Sequence, residues 1–144
     1  MMSRTGPRCA PGILPVGIAL DSNGNAYITD TWNQRVQVMA PTGNDVKNWT
    51  SVRTWDIAGW EGQSLDNKPF IAISPVNGHV FVTDPEKPRV LEFDQQGAII
   101  RAWGDYSTGP DGFGLASGVA VAPDGSVWIS DGANNVLLKF NVPN

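Results

Sequence analysis

Few residues in this chain can do chemistry, and those that recur do so at a fixed interval. Asp30, Asp84 and Asp131 stand 54 and 47 residues apart, each closing an apolar run. His79 is the only histidine and Cys9 the only cysteine among the 144 residues. A catalytic zinc takes about three protein ligands, so one His per chain cannot build that site. A Ser–His–Asp arrangement would have to use His79, and no nucleophile elbow lies near it. His79 aligns with Asn25 and Ser126 at the exit of a turn, which predicts an exposed turn residue. Cys9 has no disulfide partner within the chain and no neighbouring base to activate it. Asp21-Ser22-Asn23-Gly24-Asn25 imitates the start of a calcium loop, but its glycine falls one place early and Trp32 stands where a bidentate Glu belongs. These residues therefore predict no catalytic group, no metal ligand set and no cofactor. The three aspartates are expected to cap the loops that follow them by accepting backbone N–H groups, and to pair with Arg35 or Arg89.

The elements that would position these residues repeat with them. Gly17 to Met39, Phe70 to Phe93 and Gly118 to Phe140 share one plan: an apolar run, a Gly-bearing turn, a second run ending in Asp, a polar loop and a third run. Tyr27, Phe81 and Trp128 keep the same spacing, as do Met39, Phe93 and Phe140. Fourth strands are expected at about Val52 to Ile57 and Ala98 to Trp103; the chain stops at Asn144 directly after the third strand of the last repeat. A period of roughly 40–50 residues built from short strands is the mark of a propeller or solenoid. Four-stranded antiparallel units of this kind are β-propeller blades, so the expected fold is all-β. The chain divides into one segment, 1–144, with blade repeats at about 15–57, 69–104 and 117–142. Residues 1–14 are a partial outer strand and loop, since Arg4, Arg53 and Arg101 are spaced 49 and 48 apart. Both faces of a blade are covered by its neighbours. Tyr27, Phe81, Trp128, Trp55 and Trp103 are accordingly expected to fill the wedges between blades.

Net charge is -4 and the isoelectric point about 4.7. Affinity for nucleic acid comes mostly from cations that neutralise phosphates, so this balance argues against a nucleic-acid partner. The same sign argues against an anionic membrane surface. No run approaches the 18 apolar residues of a membrane span, and the first ten residues lack the apolar stretch of a signal peptide.

Pro15-Val16-Gly17-Ile18-Ala19 followed by Asp30-Thr31-Trp32-Asn33-Gln34-Arg35-Val36 resembles the NHL repeat. The second copy has Pro69-Phe70-Ile71-Ala72 and Asp84 followed by Arg89-Val90. The third has Ser117-Gly118-Val119-Ala120 and Asp131-Gly132-Ala133-Asn134-Asn135, with Val136 where the Arg is expected. The resemblance covers nearly the whole chain and implies a ring of about six blades, of which three are present. It carries several functions, since such propellers serve binding, lyase and lactonase roles alike. It also implies that the family's peptide-amidating lyases hold zinc through several histidines, a set that His79 alone does not match. RNA binding by some animal relatives is opposed by the acidic balance.

A three-blade arc leaves two apolar blade faces open, and such faces are association sites. Two arcs related by a twofold axis would close a six-bladed ring, so a homodimer is expected. Its seam would pair Ser3, Arg4 and Thr5 of one chain with the strand bearing Leu138 and Phe140 of the other. The rival expectation is a fragment of a longer chain that closes on itself. In a four-stranded blade the loop between strands two and three opens on the same ring face as the crossover from strand four. That face would gather Trp32 and Asn33, Trp60 and Glu61, Glu86 and Lys87, and Asp105, Tyr106, Asp111 and Phe113. Exposed aromatics among polar groups favour contact sites, which predicts a protein or glycan partner there. Trp60 has an alternative, folding back over a blade edge. The remaining functional reading is an enzyme of lyase or lactonase type with a metal at the ring centre.

Overall fold

The computed structural model describes residues 15–44, 48–60 and 67–144. Residues 1–14, and with them the proposed seam residues Ser3, Arg4 and Thr5, lie outside the described residues, as does Glu61. The described residues form three antiparallel sheets and no helix. Blade 1 runs β1 (Pro15–Leu20), β2 (Ala26–Asp30), β3 (Arg35–Pro41) and β4 (Trp49–Asp56) in sequential order. Blade 2 repeats this with β5 (Ile71–Ile73), β6 (Val80–Asp84), β7 (Arg89–Phe93) and β8 (Ile99–Trp103). Blade 3 has β9 (Ala116–Val121), β10 (Val127–Asp131) and β11 (Val136–Phe140). The first strands converge, with β1 beside β5 and β5 beside β9, so they form the inner side of the arc.

Alternation along the strands sends residues to both faces, and in blade 2 both faces are apolar because each packs on a neighbouring blade. Tyr27, Val36 and Val38 of blade 1 meet Val80, Val82, Leu91 and Phe93 of blade 2 in one core. Phe81 and Val90, on the far face of blade 2, meet Val127 and Ile129 of blade 3 in a second. Trp55 sits edge-on to Tyr27 with ring centroids 6.3 Å apart, and Trp103 sits edge-on to Phe81 at the same separation. Four of the five wedge aromatics are thus packed between blades. Trp128 is 40% exposed, because its side of blade 3 has no blade against it among the described residues.

Leu138 and Phe140 lie on β11, an edge strand of its sheet. Their side chains pack into the core between blades 2 and 3, where the Phe140 ring lies 5.7 Å from both Trp103 and Phe113. The strand period of two that points them inward turns Leu137, 72% exposed, toward the open end face instead.

A hydroxyl near the end of each second strand ties down the first strand of its own blade. Thr29 Oγ1 accepts from Gly17 N–H at 2.7 Å, Thr83 Oγ1 from Phe70 N–H at 2.8 Å and Ser130 Oγ from Gly118 N–H at 2.8 Å. In blades 1 and 3 the hydroxyl sits where the first strand's register is broken, and there it satisfies the amide the ladder leaves out. Two of them then reach the next blade: Thr29 Oγ1 donates to Pro69 O at 3.3 Å and Thr83 Oγ1 to Ser117 O at 2.7 Å. Thr83→Val keeps the shape but strands one amide and one carbonyl. It is expected to cost about 1–3 kcal/mol, read as a lower urea midpoint at unchanged slope.

Candidate functional site

Each second strand ends in a buried aspartate, and each aspartate builds the loop above it. Asp30 accepts from Arg35 Nε at 3.0 Å and Asn33 Nδ2 at 2.9 Å. Asp84 accepts from Arg89 Nε at 2.8 Å. Val136 replaces the arginine in blade 3, and there Asp131 takes backbone amides instead: Gly114, Leu115, Ala133 and Asn134 donate to it between 2.8 and 3.2 Å, and so does Asn134 Nδ2. Burial pushes the Asp131 carboxyl up, but the amides of Gly114, Leu115 and Asn134 outweigh it and hold the group below its usual range.

These caps also fasten the crossovers. Arg89 Nη2 donates to Ala58 O at 2.8 Å, Ile57 N–H donates to Gln34 O at 2.7 Å, and Gly132 N–H to Leu115 O at 3.0 Å. The loops after the second strands and the crossovers after the fourth therefore lie on one ring face, as the strand order requires. Gly59 has φ of +92°, and Lys87 lies directly over it, where a Cβ would meet the side chain. Lys87 is thus drawn across the first crossover.

The face does not present all the residues assigned to it. Trp32 is 65% exposed and Tyr106 80%, and both project from loops. Asn33, Glu86, Asp105 and Asp111 are exposed polar groups of the same loops and crossovers, with Asn33 held by Asp30. Trp60 and Phe113 correct the expectation, at 1% and 0% exposure. Trp60 joins the core between blades 1 and 2, and Phe113 the core between blades 2 and 3. The reason is topological. A crossover must travel from the outer strand of one blade to the inner strand of the next, across the open end of a wedge. An aromatic dropped from it closes that end. Within the second crossover, Phe113 N–H donates to Asp105 O at 2.8 Å, and this tie leaves Tyr106 outside.

Phe70 was missed and belongs to this face. It is 42% exposed and borders a hollow of about 190 Å³ with Lys68, Pro85 and Leu115. The signal was in the sequence: Phe70 occupies the place of Gly17 and Gly118 in the other repeats. At that place the backbone is tight, since a Cβ on Gly17 would come within 2.9 Å of Thr29 Oγ1.

On the opposite ring face, His79 departs from the expected exposed turn residue. Its Nδ1 lies 2.7 Å from Glu92 Oε1, and the Glu92 carboxylate is buried beside Arg101 Nε at 3.2 Å. His79 thus shares a hydrogen bond with a buried acid within blade 2. Asp21, in the calcium-like run, accepts from Asn23 N–H and Asn25 N–H through Oδ1 and from Asn25 Nδ2 through Oδ2, so both oxygens serve the turn. Among the described residues no three His, Cys, Asp or Glu side chains come together as a metal site.

Residues 14–39 match the family model described as NHL repeat. Peptidyl-glycine alpha-amidating monooxygenase of Mus musculus is 27% identical over 133 residues. The match takes in 88% of this chain and 14% of that protein, so the chain spans about a seventh of that relative's length. Among solved structures, virginiamycin B lyase from Staphylococcus aureus superposes with a TM-score of 0.55 at 18% identity, over 90% of this chain and 42% of that one. A calcium-binding protein, regucalcin, from Agrobacterium tumefaciens superposes with a TM-score of 0.58 at 13% identity, over 90% of this chain and 46% of that one. At such identities the superpositions establish the fold. With the repeat matched in blade 1 and its plan carried through blades 2 and 3, this chain carries an NHL repeat within three β-propeller blades.

Proposed function

We propose that this chain is a non-catalytic propeller module that binds a protein or glycan through the face carrying Trp32, Phe70 and Tyr106, and that it acts as a homodimer of two arcs. The observation that carries the reading is the contrast on that face: three aromatics stand in solvent while Trp60 and Phe113 beside them are buried. Large apolar rings held out on loops that are pinned by buried aspartates supply contact area at low entropic cost. Glu86, Asp105 and Asp111 make the loops and crossovers of this face acidic and favour a partner with basic or hydroxyl groups.

The reading is tested by titrating oligosaccharides and lysine- or arginine-bearing peptides while following tryptophan fluorescence. Trp32→Ala and Tyr106→Ala should each weaken the ligand found by about 30-fold, the loss of a central aromatic anchor worth roughly 2 kcal/mol. Their unfolding free energies should stay within about 0.5 kcal/mol of the parent, because neither ring packs in a core. Undiminished affinity in both variants would overturn the assignment of this face.

A lyase-like enzyme with a central metal is the second reading, favoured by the superposition on virginiamycin B lyase and the similarity to the amidating monooxygenase. The engagement of His79 with Glu92 on the other ring face weighs against it. Stoichiometric divalent metal in the purified protein, with loss of stability on chelation, would favour the enzyme.

A further inference from the structure

The two ends of the arc carry, at matched positions, the two halves of the seam that joins its own blades. Tyr27, Phe81 and Trp128 share one register position of the second strands, and Val36, Val90 and Leu137 one of the third. In blades 1 and 2 these four residues are at most 2% exposed, whereas Trp128 is 40% and Leu137 72% exposed. On the opposite blade face, Ile71 and Ile73 pair with Val82 and Val80 as Ile18 and Leu20 pair with Ile28 and Ala26. Ile71 is 6% exposed, but Ile18 is 66% and Leu20 62%. The hydroxyl latch is split in the same way. Ser130 accepts from its own blade as Thr29 and Thr83 do, and the carbonyl corresponding to those of Pro69 and Ser117 is that of Val16.

We infer that the outer face of blade 3 in one copy packs on the outer face of blade 1 in a second copy, with Trp128 and Leu137 covering Ile18 and Leu20 and Ser130 donating to the Val16 carbonyl. The inference rests on the homodimer reading and specifies its surface. A second copy is the occupant because the seam continues an interface the chain already makes twice, so its shape and its hydrogen bond are matched by repetition. Each end differs from the other, and the contact is heterologous. Two copies of three blades bring both ends into register and close the ring, which ends the assembly at a dimer.

Leu137→Asp and Ile18→Lys test this by complementation, since both sites are exposed within one chain and the variants should fold, as checked by circular dichroism. Sedimentation equilibrium should find wild type dimeric and each variant alone weakened by about 100-fold or more, because each would bury an unpaired charge at both seams. An equimolar mixture should recover the dimer, with one wild-type seam and one Asp–Lys seam. Variants that dimerise like wild type, or a mixture that fails to recover, would overturn the seam while leaving the homodimer standing. A monomeric wild type would overturn both.

Discussion

Trp60→Ala is expected to cost about 3–5 kcal/mol of unfolding free energy, the range for removing a large buried aromatic. Trp60 is 1% exposed and packs in the core between blades 1 and 2, so its loss opens a cavity at the end of a wedge. The crossover that carries it is anchored by Ile57 N–H and by Arg89 on Ala58 O, and it has little freedom to collapse into the gap. The indole Nε1 has no partner among the described residues. Trp60→Phe should therefore cost markedly less, because it retains most of the volume and removes a buried donor left unsatisfied. Chemical denaturation of the two variants beside Trp32→Ala separates a core plug from a contact residue. Only the Trp60 variants should move the midpoint.

Asp131→Ala comes second, at about 3 kcal/mol, or a melting temperature lower by about 10 °C. The carboxylate accepts four backbone amides and the Asn134 side chain, and Ala leaves these donors without their acceptor in a buried site. Asp131→Asn should lose about half as much, since one oxygen still accepts. The pH dependence has a definite sign. The amides of the crossover and loop hold the folded carboxyl below its unfolded value of about 3.9. Its contribution is therefore complete above that value and disappears as pH falls through the folded value. Wild type should lose stability relative to Asp131→Ala on acidification below about pH 4, and parallel pH profiles would contradict the cap.

Architecture was legible in the sequence because a repeat states its own register. Once Asp30, Asp84 and Asp131 are aligned, every strand follows, and the period of two assigns Tyr27 and Phe81 to a blade interface. The cap role was legible for the same reason, through Arg35 and Arg89. The crossovers do not repeat, since Trp60 lies five residues past Trp55 and Phe113 ten past Trp103. Without a register, nothing in the sequence distinguishes an aromatic that plugs a wedge from one that stands in solvent. The hydroxyls of Thr29, Thr83 and Ser130 were visible as a series, but in blades 1 and 3 their role depends on a register break that alternation alone does not reveal. Phe70 was legible and overlooked, as an aromatic at a position where two other repeats place glycine. His79 could not be read, because its partner Glu92 lies on another strand and belongs to blade 2 alone.

The central claim is that this arc is completed by its own copy, and the solution mass of the full chain by light scattering tests it most directly. A mass of twice the chain, constant over a wide dilution range, is the predicted result. A mass equal to one chain at micromolar concentration would contradict it.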